Sequence, residues 1–400
     1  MALHTRILFF SLLLSLTATP DCASPPAPDP ATIRQVEARL AQARQSRTRG
    51  ELLTAQMEAR SAIALDPRHA GSHYELALAL DADGDSPGAF AALEQSLKLN
   101  PDHAAALRLL GYLLLNAGSW EQSAAASQRA IELNPVDVAA QVNLGYALAR
   151  LGETDRAYFH YQKALASAPQ HKEALLYSAA LLAAMRRIDE AQARFETAVR
   201  YHPDSAEAHY SLANFLINER LDPIDLTVDG RPHESPQSKK YRDSARDLLE
   251  RSLKLQPDLG PAYARLTYLA MRSGDYTAAI QSARQALALE PDASSNSTRY
   301  NLALAYYRTA QYELARVEFR RVLDAFPDTQ TALLFYANAS LHLGDVQAAL
   351  DGYTRLIELN DAHGLAHLNL AKIYASQGNQ AKTNEHLKAA CTAGETEACR

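Results

Sequence analysis

Residues 104–137 read AAALRLLGYLLLNAGSWEQSAAASQRAIELNPVD, and this 34-residue unit recurs along the chain. Two residues before its end, the unit has an apolar residue, one further residue and a proline. The residues in the place of this proline are Pro67, Pro101, Pro135, Pro169, Pro203, Pro257, Pro291, Pro327 and finally Asp361. The first four intervals are each 34 residues long, and the later ones are 54, 34, 36 and 34. Such a regular period predicts stacked repeats, which accommodate 400 residues without one oversized core.

Two positions of the unit hold small side chains. Position 8 is alanine or glycine in nearly every copy, at Ala43, Ala77, Gly111, Gly145, Ala179, Ala213, Ala303, Ala337 and Ala371, and Thr267 is the larger exception. Position 20 is alanine or serine, at Ala55, Ala89, Ser123, Ala157, Ala191, Ala245, Ala279, Ala315 and Ala349. Two helices approach closely only where their crossing point lacks bulk. The unit therefore predicts a pair of closely packed helices that ends at the proline, which cannot continue a helix.

This arrangement of small residues and prolines resembles the tetratricopeptide-repeat family. The resemblance covers about residues 36–392 and implies an all-α fold, a right-handed superhelical solenoid of antiparallel helix pairs. Repeats are predicted to start at residues 36, 70, 104, 138, 172, 206, 260, 296 and 330, and a tenth, at 364, is expected to cap the array. The first repeat departs from the pattern because Gln42 replaces the usual leucine of position 7.

Residues 1–24 are predicted to be a secretory signal peptide. A basic residue precedes the apolar run 7–16, and a small, polar stretch follows, which is the pattern of such signals. The run is shorter than the roughly 17–25 residues that a membrane span needs. The chain is therefore expected to be exported, to the periplasm or outside the cell, without a stable membrane span after processing. Thr19 and Asp21 do not fit a lipoprotein signal, so lipid anchoring at Cys22 is not expected.

Two segments depart from the repeat. Residues 25–35 are rich in proline and are predicted to form a stiff, extended lead-in. Residues 218–240 carry an insertion of 20 residues between the helices of the sixth repeat. Its three prolines and Gly230 predict a loop, in which alternating apolar residues could form a short strand or a flap. Long insertions are often functional, and the alternative is a tolerated surface loop.

Two cysteines lie at the end of the chain, Cys391 in the last predicted helix and Cys399 in the tail 393–400. Gly394 between them is typical of a helix end. The seven-residue gap is similar to that of a bridge in exported, cysteine-rich relatives of the tetratricopeptide-repeat family. The resemblance therefore implies a disulfide that holds the tail on the last helix, which an oxidising compartment would favour. The alternative is a pair of free thiols in a frayed tail.

No catalytic or cofactor-binding motif is recognisable in the sequence. It lacks a phosphate-binding loop, a dinucleotide-binding turn, a nucleophile elbow and a zinc-protease motif, so we predict a non-catalytic protein without a cofactor. His363, His367 and His386 have no acidic or cysteine partner at a suitable spacing, and no metal site is predicted. Other histidines recur at position 34, next to a helix start, and are attributed to the turn; they are His69, His103 and His171, with His363 again. The formal net charge of −6 provides no basic footprint for nucleic acid.

The resemblance also implies a binding groove. In tetratricopeptide arrays the first helix of each pair lines the concave face, with positions 5, 9, 12 and 13 among those that face a partner. Here these positions are rich in tyrosine, asparagine and arginine, which offer rigid aromatic area, amide pairing and charge-assisted bonds. The predicted groove residues are Tyr74, Arg108, Tyr112, Asn116, Tyr146, Arg150, Tyr210, Asn214, Tyr268, Arg272, Tyr300, Tyr307, Arg308 and Asn338.

Together these features predict an exported scaffold that binds peptides or proteins in its groove, in cell-envelope, secretion or polysaccharide assembly. One alternative is an architectural subunit that uses the convex face. Another is an enzyme whose site includes the insertion, with Asp222, Asp225, Asp229 and His233 as its polar residues. The sequence does not identify the partner.

Overall fold

The computed structural model describes residues 29–222, 225–226, 232–291 and 296–399. Within these ranges the chain forms twenty α-helices, one 3-10 helix and one pair of two-residue strands. The chain divides into two compact units, of which the first ends at Ala147 and the second begins at Leu148. The predicted signal peptide, residues 1–24 with Cys22, lies outside the described residues.

The helices are grouped along the chain into repeats 1 to 10, each with a first and a second helix. In repeats 1 to 5 the first helices are α1 Pro30–Thr48, α3 Ala70–Ala82, α5 Ala104–Asn116, α7 Val138–Arg150 and α9 Lys172–Ala184. The second helices of these repeats are α2 Leu52–Leu65, α4 Ser86–Leu99, α6 Trp120–Leu133, α8 Thr154–Ser167 and α10 Ile188–Tyr201. In repeats 6 to 10 the first helices are α11 Ala206–Glu219, α13 Gly260–Ser273, α15 Asn296–Arg308, α17 Gln330–His342 and α19 Gly364–Ser376. The second helices of these repeats are α12 Pro236–Leu255, α14 Tyr276–Leu289, α16 Tyr312–Ala325, α18 Val346–Leu359 and α20 Gln380–Thr392.

The first helices of repeats 2 to 10 begin at the predicted residues, whereas α1 begins at Pro30 instead of residue 36. Asp29 caps α1, because its Oδ1 accepts hydrogen bonds from the backbone N–H groups of Ala31 and Thr32 at 2.7 and 2.9 Å. Proline is favourable at the first position of a helix, where no partner for its nitrogen is needed. Residues 30–35 are therefore helical and do not belong to an extended lead-in.

The small residues lie where the helices of a repeat approach most closely. In the first unit, Gly111 of α5 lies against α6, and its carbonyl accepts a hydrogen bond from Ser123 Oγ at 2.8 Å. A Cβ atom on Gly111 would lie 2.3 Å from Ser127 Oγ. In the second unit, a Cβ on Gly352 of α18 would lie 2.9 Å from the Cβ of Ala337 on α17. A side chain at Gly111 would require the Ser127 hydroxyl to move, and one at Gly352 would crowd the Cβ of Ala337. The helices are therefore closely packed at these points, as the small residues of the sequence pattern predict.

The position-34 histidines cap helices. The Nδ1 atom of each accepts a hydrogen bond from the backbone N–H group three residues later, with donor distances of 3.1 to 3.4 Å. The capping residues are His69, His103, His171 and His363. An accepting Nδ1 requires an unprotonated nitrogen, so these caps depend on neutral histidine.

Acidification is expected to weaken the cap at His103. Burial, and more weakly the neighbouring His69, lower the pKa of His103 below its ordinary value of 6.5. The unfolded chain therefore binds a proton at His103 more readily than the folded chain does. The contribution of His103 to the free energy of unfolding is complete above about pH 6.5 and is lost as the pH falls through the pKa of the folded state. Urea unfolding between pH 7.5 and 5 should show a smaller loss of stability in His103→Asn, whose cap does not titrate. Equal losses in the two proteins would contradict this role.

The insertion in repeat 6 is shorter than predicted, because the flanking helices extend into it. Helix α11 continues to Glu219 and α12 already begins at Pro236, so 220–235 replaces 218–240 as the connecting segment. Within it, residues 225–226 (β1) pair antiparallel with residues 232–233 (β2). The sequence predicted either a short strand or a flap in this segment, and the backbone forms the short paired strands β1 and β2. Ile224 and Val228, two of the alternating apolar residues, lie outside the described residues.

The C-terminal tail packs against repeat 10. Cys391 at the end of α20 and Cys399 in the 3-10 helix Thr396–Cys399 are joined as a disulfide, with their Cα atoms 5.0 Å apart. Glu397 also forms an ion pair with Lys372 of α19 at 2.8 Å. Formation of the bond in the mature protein stays a prediction. None of the helices in the described part of the chain combines the length and apolar character that a membrane crossing needs.

Candidate functional site

In the first unit, the structure brings together Tyr74 of α3 and Arg108 of α5. Arg108 Nη2 donates to the Tyr74 hydroxyl at 3.5 Å, and Arg108 Nε lies 3.3 Å from the Asp137 carboxylate. Burial raises the pKa of Tyr74, against the opposing effect of the Arg108 charge. The backbone carbonyl of Arg108 accepts from Asn143 Nδ2 at 3.3 Å. These contacts connect first helices of successive repeats, so both side chains are partly engaged within the protein.

The other predicted residues of the first unit are more dispersed. Tyr112 is 44% exposed, and Asn116 at the end of α5 is also exposed. Tyr146 is half-buried against Trp120, with ring centroids 6.2 Å apart. These residues provide aromatic and amide surface, but the structure does not gather them into one cluster.

The second unit contains a compact group of rings, the aromatic cluster, formed by Tyr307, Tyr312, Phe335 and His342. The Tyr307 ring lies 5.4 Å from Tyr312, 5.1 Å from Phe335 and 6.0 Å from His342, each edge-on. Tyr312 and His342 stack in parallel at 4.1 Å. His342 is exposed and the others are half-buried. The cluster therefore presents aromatic edges and faces to solvent on repeats 8 and 9.

The turn between α15 and α16 positions Tyr312 in the aromatic cluster. Ala310 in this turn has φ 60, a left-handed conformation that costs a residue with a side chain about 1–2 kcal/mol. In the corresponding turn of repeat 3 the residue is Gly118, with φ 73. Repeat 8 thus adopts the same tight turn without glycine, and Tyr312 follows it directly at the start of α16.

Asn338 lies beside the aromatic cluster at the centre of a polar network. Its Oδ1 accepts hydrogen bonds from the Tyr353 hydroxyl and from Asn369 Nδ2, the latter at 3.3 Å. Burial and the adjacent Tyr312 raise the pKa of Tyr307, whereas Arg308 and a hydrogen bond to Asn338 oppose the shift. Burial likewise raises the pKa of Tyr353. Both phenols therefore stay protonated at neutral pH and act as hydrogen-bonding groups, and Asn338 is held in one orientation.

The prediction that Arg272 faces a partner is wrong, because the structure places it in an internal ion cluster. It is 4% exposed, its Nε donates to Glu234 Oε1 at 3.0 Å, and its Nη2 lies 3.4 Å from Ser238 Oγ. Arg242 pairs with the second oxygen of Glu234. Burial lowers the pKa of Arg272, but hydrogen bonds to Glu234 and Tyr268 outweigh this effect and raise it above its ordinary value. Arg272 therefore holds the end of the insertion on repeat 7 and is not presented to a partner.

The remaining predicted groove residues of the second unit lie at separate places. Tyr210, Asn214, Tyr268 and Tyr300 are half-buried, and Arg150 and Arg308 are exposed. Tyr300 packs edge-on against the buried Phe319, with centroids 5.8 Å apart. Of this group only Arg308, next to Tyr307 in the chain, adjoins the aromatic cluster.

Of the four polar residues that an enzyme would use, only Asp222 has a described side chain. Asp222 Oδ2 accepts from the backbone N–H of Ser235 at 3.2 Å, which closes the base of the insertion. Asp225 and His233 are described in their backbone only, and Asp229 lies outside the described residues.

The histidines of repeat 10 form a hydrogen-bonded pair. His367 Nδ1 lies 2.9 Å from His386 Nδ1, and His367 Nε2 lies 2.9 Å from the Asp361 carbonyl. Since a carbonyl only accepts, His367 Nε2 donates to it. His363 caps α19 instead of joining the pair. Over the described ranges, the structure contains no group of three or more histidine, cysteine or acidic side chains arranged for a metal ion.

His342 lies at groove position 13 of its repeat, whereas two members of the aromatic cluster and two of the ion cluster were not predicted from the sequence. Tyr312 and Phe335 do not occupy the groove positions of the family pattern, and Glu234 and Arg242 lie in or beyond the insertion, where the repeat supplies no register. The signal for Tyr312 was its place directly after the turn that follows Tyr307. No comparable signal marks Glu234.

Comparison with known families gives matches to tetratricopeptide-repeat models over much of the chain. One model matches residues 40–104, 74–130, 109–172 and 300–362, a second matches 148–215 and a third matches 260–293. Together the matched segments span more than half of the sequence. A search of curated proteins found no match.

Several solved structures are similar to this chain. The C-terminal part of a TPR repeat-containing protein from Cytophaga hutchinsonii has 17% identity and a TM-score of 0.49, covering 64% of this chain and 98% of that chain. PilF of Pseudomonas aeruginosa has 15% identity and a TM-score of 0.39, covering 66% and 96%. YrrB, a TPR protein with an unusual peptide-binding site, has 19% identity and a TM-score of 0.37, covering 54% and 97%.

Proposed function

Because the chain belongs to the tetratricopeptide-repeat family, whose fold serves as a protein–protein interaction scaffold, we propose that it binds a peptide segment of a protein partner at the aromatic cluster of repeats 8 and 9. In this role the chain performs no chemical reaction. Its main contact surface consists of side chains of α15, of α17 and of the start of α16.

The observation that carries this proposal is the grouping of four rings with a fixed amide and an exposed cation. Aromatic side chains supply large contact area at low cost in conformational entropy, and such residues dominate binding energy at interfaces together with arginine. Tyr307 and His342 offer ring edges and faces, Asn338 is held by two hydrogen bonds, and Arg308 is exposed beside them. This combination suits an extended peptide with apolar side chains and free backbone carbonyls.

The proposed setting is outside the cytoplasm, in cell-envelope, secretion or polysaccharide assembly. Support comes from the apolar run 7–16, which follows the pattern of an export signal, and from Cys391 and Cys399, which an oxidising compartment would keep bonded. A mature N-terminus determined by mass spectrometry on protein from the native host tests export. An intact N-terminus at Met1 would contradict it.

Removing the exposed members of the site is expected to weaken specific capture of partners strongly. Arg308→Ala/His342→Ala should reduce the retained amount of each specific host protein by at least about tenfold, because loss of central interface residues commonly costs about 2 kcal/mol or more. Both side chains are exposed, so the fold should tolerate the change. The measurement is quantitative mass spectrometry of host proteins retained on the immobilised mature chain.

The control for this experiment is Phe159→Ala, which removes a ring that is 52% exposed on α8, away from the cluster. It should retain the same proteins as the wild type. If the double variant, shown to be folded by circular dichroism, also retains every specific partner, the aromatic cluster is not the binding site.

A further inference from the structure

A cleft of about 800 Å³ lies between α14, α15 and α16 in the second unit. Its apolar floor includes Leu287, Leu302 and Tyr306, and the last two are 3% and 7% exposed. The volume is in the range of pockets that bind ligands, roughly 300–1,000 Å³. None of the predicted groove residues lines this cleft. It is therefore a different surface from the aromatic cluster.

Three arginines surround the apolar floor. Arg299 and Arg321 each bind one oxygen of the Glu318 carboxylate, at 2.9 and 2.6 Å. Arg284 is exposed and forms no ion pair with any residue that the structure describes. Arg299 Nη2 also donates to the Pro291 carbonyl at 3.4 Å. Each guanidinium carries five N–H donors, so these bonds still leave further donors available. Among the described residues of the lining, three arginines stand against two carboxylates, those of Glu318 and Asp324.

A second cleft at the equivalent place in repeats 4 and 5 shows that packing does not require these arginines. It has a volume of about 450 Å³, and its lining includes Leu165, Leu175 and Thr197, with Glu190 and Arg194 as its charged residues. Leu175 is the fourth residue of α9, as Arg299 is of α15, and Thr197 corresponds in the same way to Arg321. Gln162 takes the place of Arg284. The repeat thus forms this cleft with neutral side chains at all three positions.

The positive charge of the larger cleft is also local. The whole chain has a formal net charge of −6, so an excess of arginines at this cleft does not follow from the overall composition. Guanidinium groups bind carboxylates through paired, charge-assisted hydrogen bonds, and the apolar floor between them accepts an aliphatic or aromatic side chain. Charge complementarity therefore selects a ligand that combines both features.

We propose that the cleft lined by Arg284, Arg299 and Arg321 is a second interaction site, which binds a protein segment with carboxylates on either side of an apolar residue. Such a segment places its apolar side chain on Leu302 and Tyr306 and its carboxylates against the arginines. The site goes beyond the proposed function at the aromatic cluster, because it lies between α14, α15 and α16 and binds a ligand of different chemical character.

The test uses the full mature chain and an array of immobilised peptides. In these peptides aspartate and glutamate alternate with leucine and phenylalanine, and matched peptides carry asparagine, glutamine and alanine instead. We expect retention of the acidic, apolar peptides and at least about a tenfold loss of their affinity in Arg284→Ala/Arg321→Ala, measured by fluorescence anisotropy. Both side chains are exposed, so the substitutions should not impair folding.

Two further variants separate this site from the other surfaces. Gln162→Ala/Thr197→Ala in the equivalent cleft and Arg308→Ala/His342→Ala at the aromatic cluster should both bind the acidic peptides like the wild type. Equal binding of acidic and amide peptides, no binding of any peptide, or unchanged affinity in Arg284→Ala/Arg321→Ala would each overturn the proposal. A loss confined to the Arg308→Ala/His342→Ala variant would assign the peptides to the aromatic cluster and also overturn it.

Discussion

Replacing Glu234 with alanine is expected to lower the free energy of unfolding of the segment α11 to α13 by about 3–5 kcal/mol. The Glu234 carboxylate is 10% exposed and binds Arg242 and Arg272, whose side chains are 12% and 3% exposed. Without it, the buried Arg272 loses the carboxylate that it binds, and Arg242 keeps only its ion pair with the half-exposed Asp243 at 3.1 Å. The desolvation cost of the Arg272 guanidinium is then no longer offset. Because repeat arrays open locally, native-state hydrogen exchange of α11 to α13 is the suitable measurement.

Two variants show whether this effect arises from burial of the charges. Glu190→Ala breaks a pair with Arg187 at the surface, where Glu190 is 55% exposed, and should cost much less stability than Glu234→Ala because solvent screens exposed charges. Replacing the whole cluster, as Glu234→Leu/Arg242→Leu/Arg272→Met, should recover most of the lost stability, since an apolar core can substitute for a buried ion pair. If Glu234→Ala is no more harmful than Glu190→Ala, the cluster does not anchor the insertion.

Truncation of Phe319 to alanine is the second change for which we expect a loss of about 3–5 kcal/mol. Phe319 of α16 is completely buried, stacks on Phe335 with centroids 5.9 Å apart and meets the edge of Tyr300 at 5.8 Å. Its removal leaves a cavity directly beneath the aromatic cluster, so partner binding should weaken along with stability. Urea unfolding and hydrogen exchange of repeats 8 and 9 measure the change.

Phe326→Ala is the matched control for Phe319→Ala. Phe326 follows α16 directly and is 54% exposed, so its removal creates no cavity and should change stability by no more than about 0.5 kcal/mol. A similar loss of stability in both variants would show that burial of Phe319 does not determine the stability of this repeat.

The repeat architecture could be derived from the sequence because each repeat is a local unit. Small residues such as Gly111 and Ala337 mark where helices approach, and the proline period marks where second helices end. The starts of nine first helices follow from this register and agree with the structure. The start of α1 does not, because Ile33 stands where the register would place a proline before the first repeat. The cap at Asp29 also had to be distinguished from an extended proline-rich segment.

The candidate site was only partly predictable. Tyr307, Arg308 and Asn338 occupy positions that the family pattern assigns to the groove. The pattern is silent about Tyr312 and Phe335, which join them because the turn at Ala310 and the packing of α15 on α17 bring these rings together. The same pattern assigned Arg272 to a partner, although a carboxylate 38 residues earlier in the chain already binds it.

The sequence by itself therefore determined the repeat class, the helix register and the residue types that a binding surface would use. These properties depend on residues within one 34-residue period, where spacing along the chain translates directly into spacing along a helix. Tertiary structure decided which of those residues remain available to a partner. Burial and pairing depend on residues that are distant in sequence, so Glu234 withdraws Arg272 from the surface, whereas the arginines around the larger cleft keep donors open to solvent.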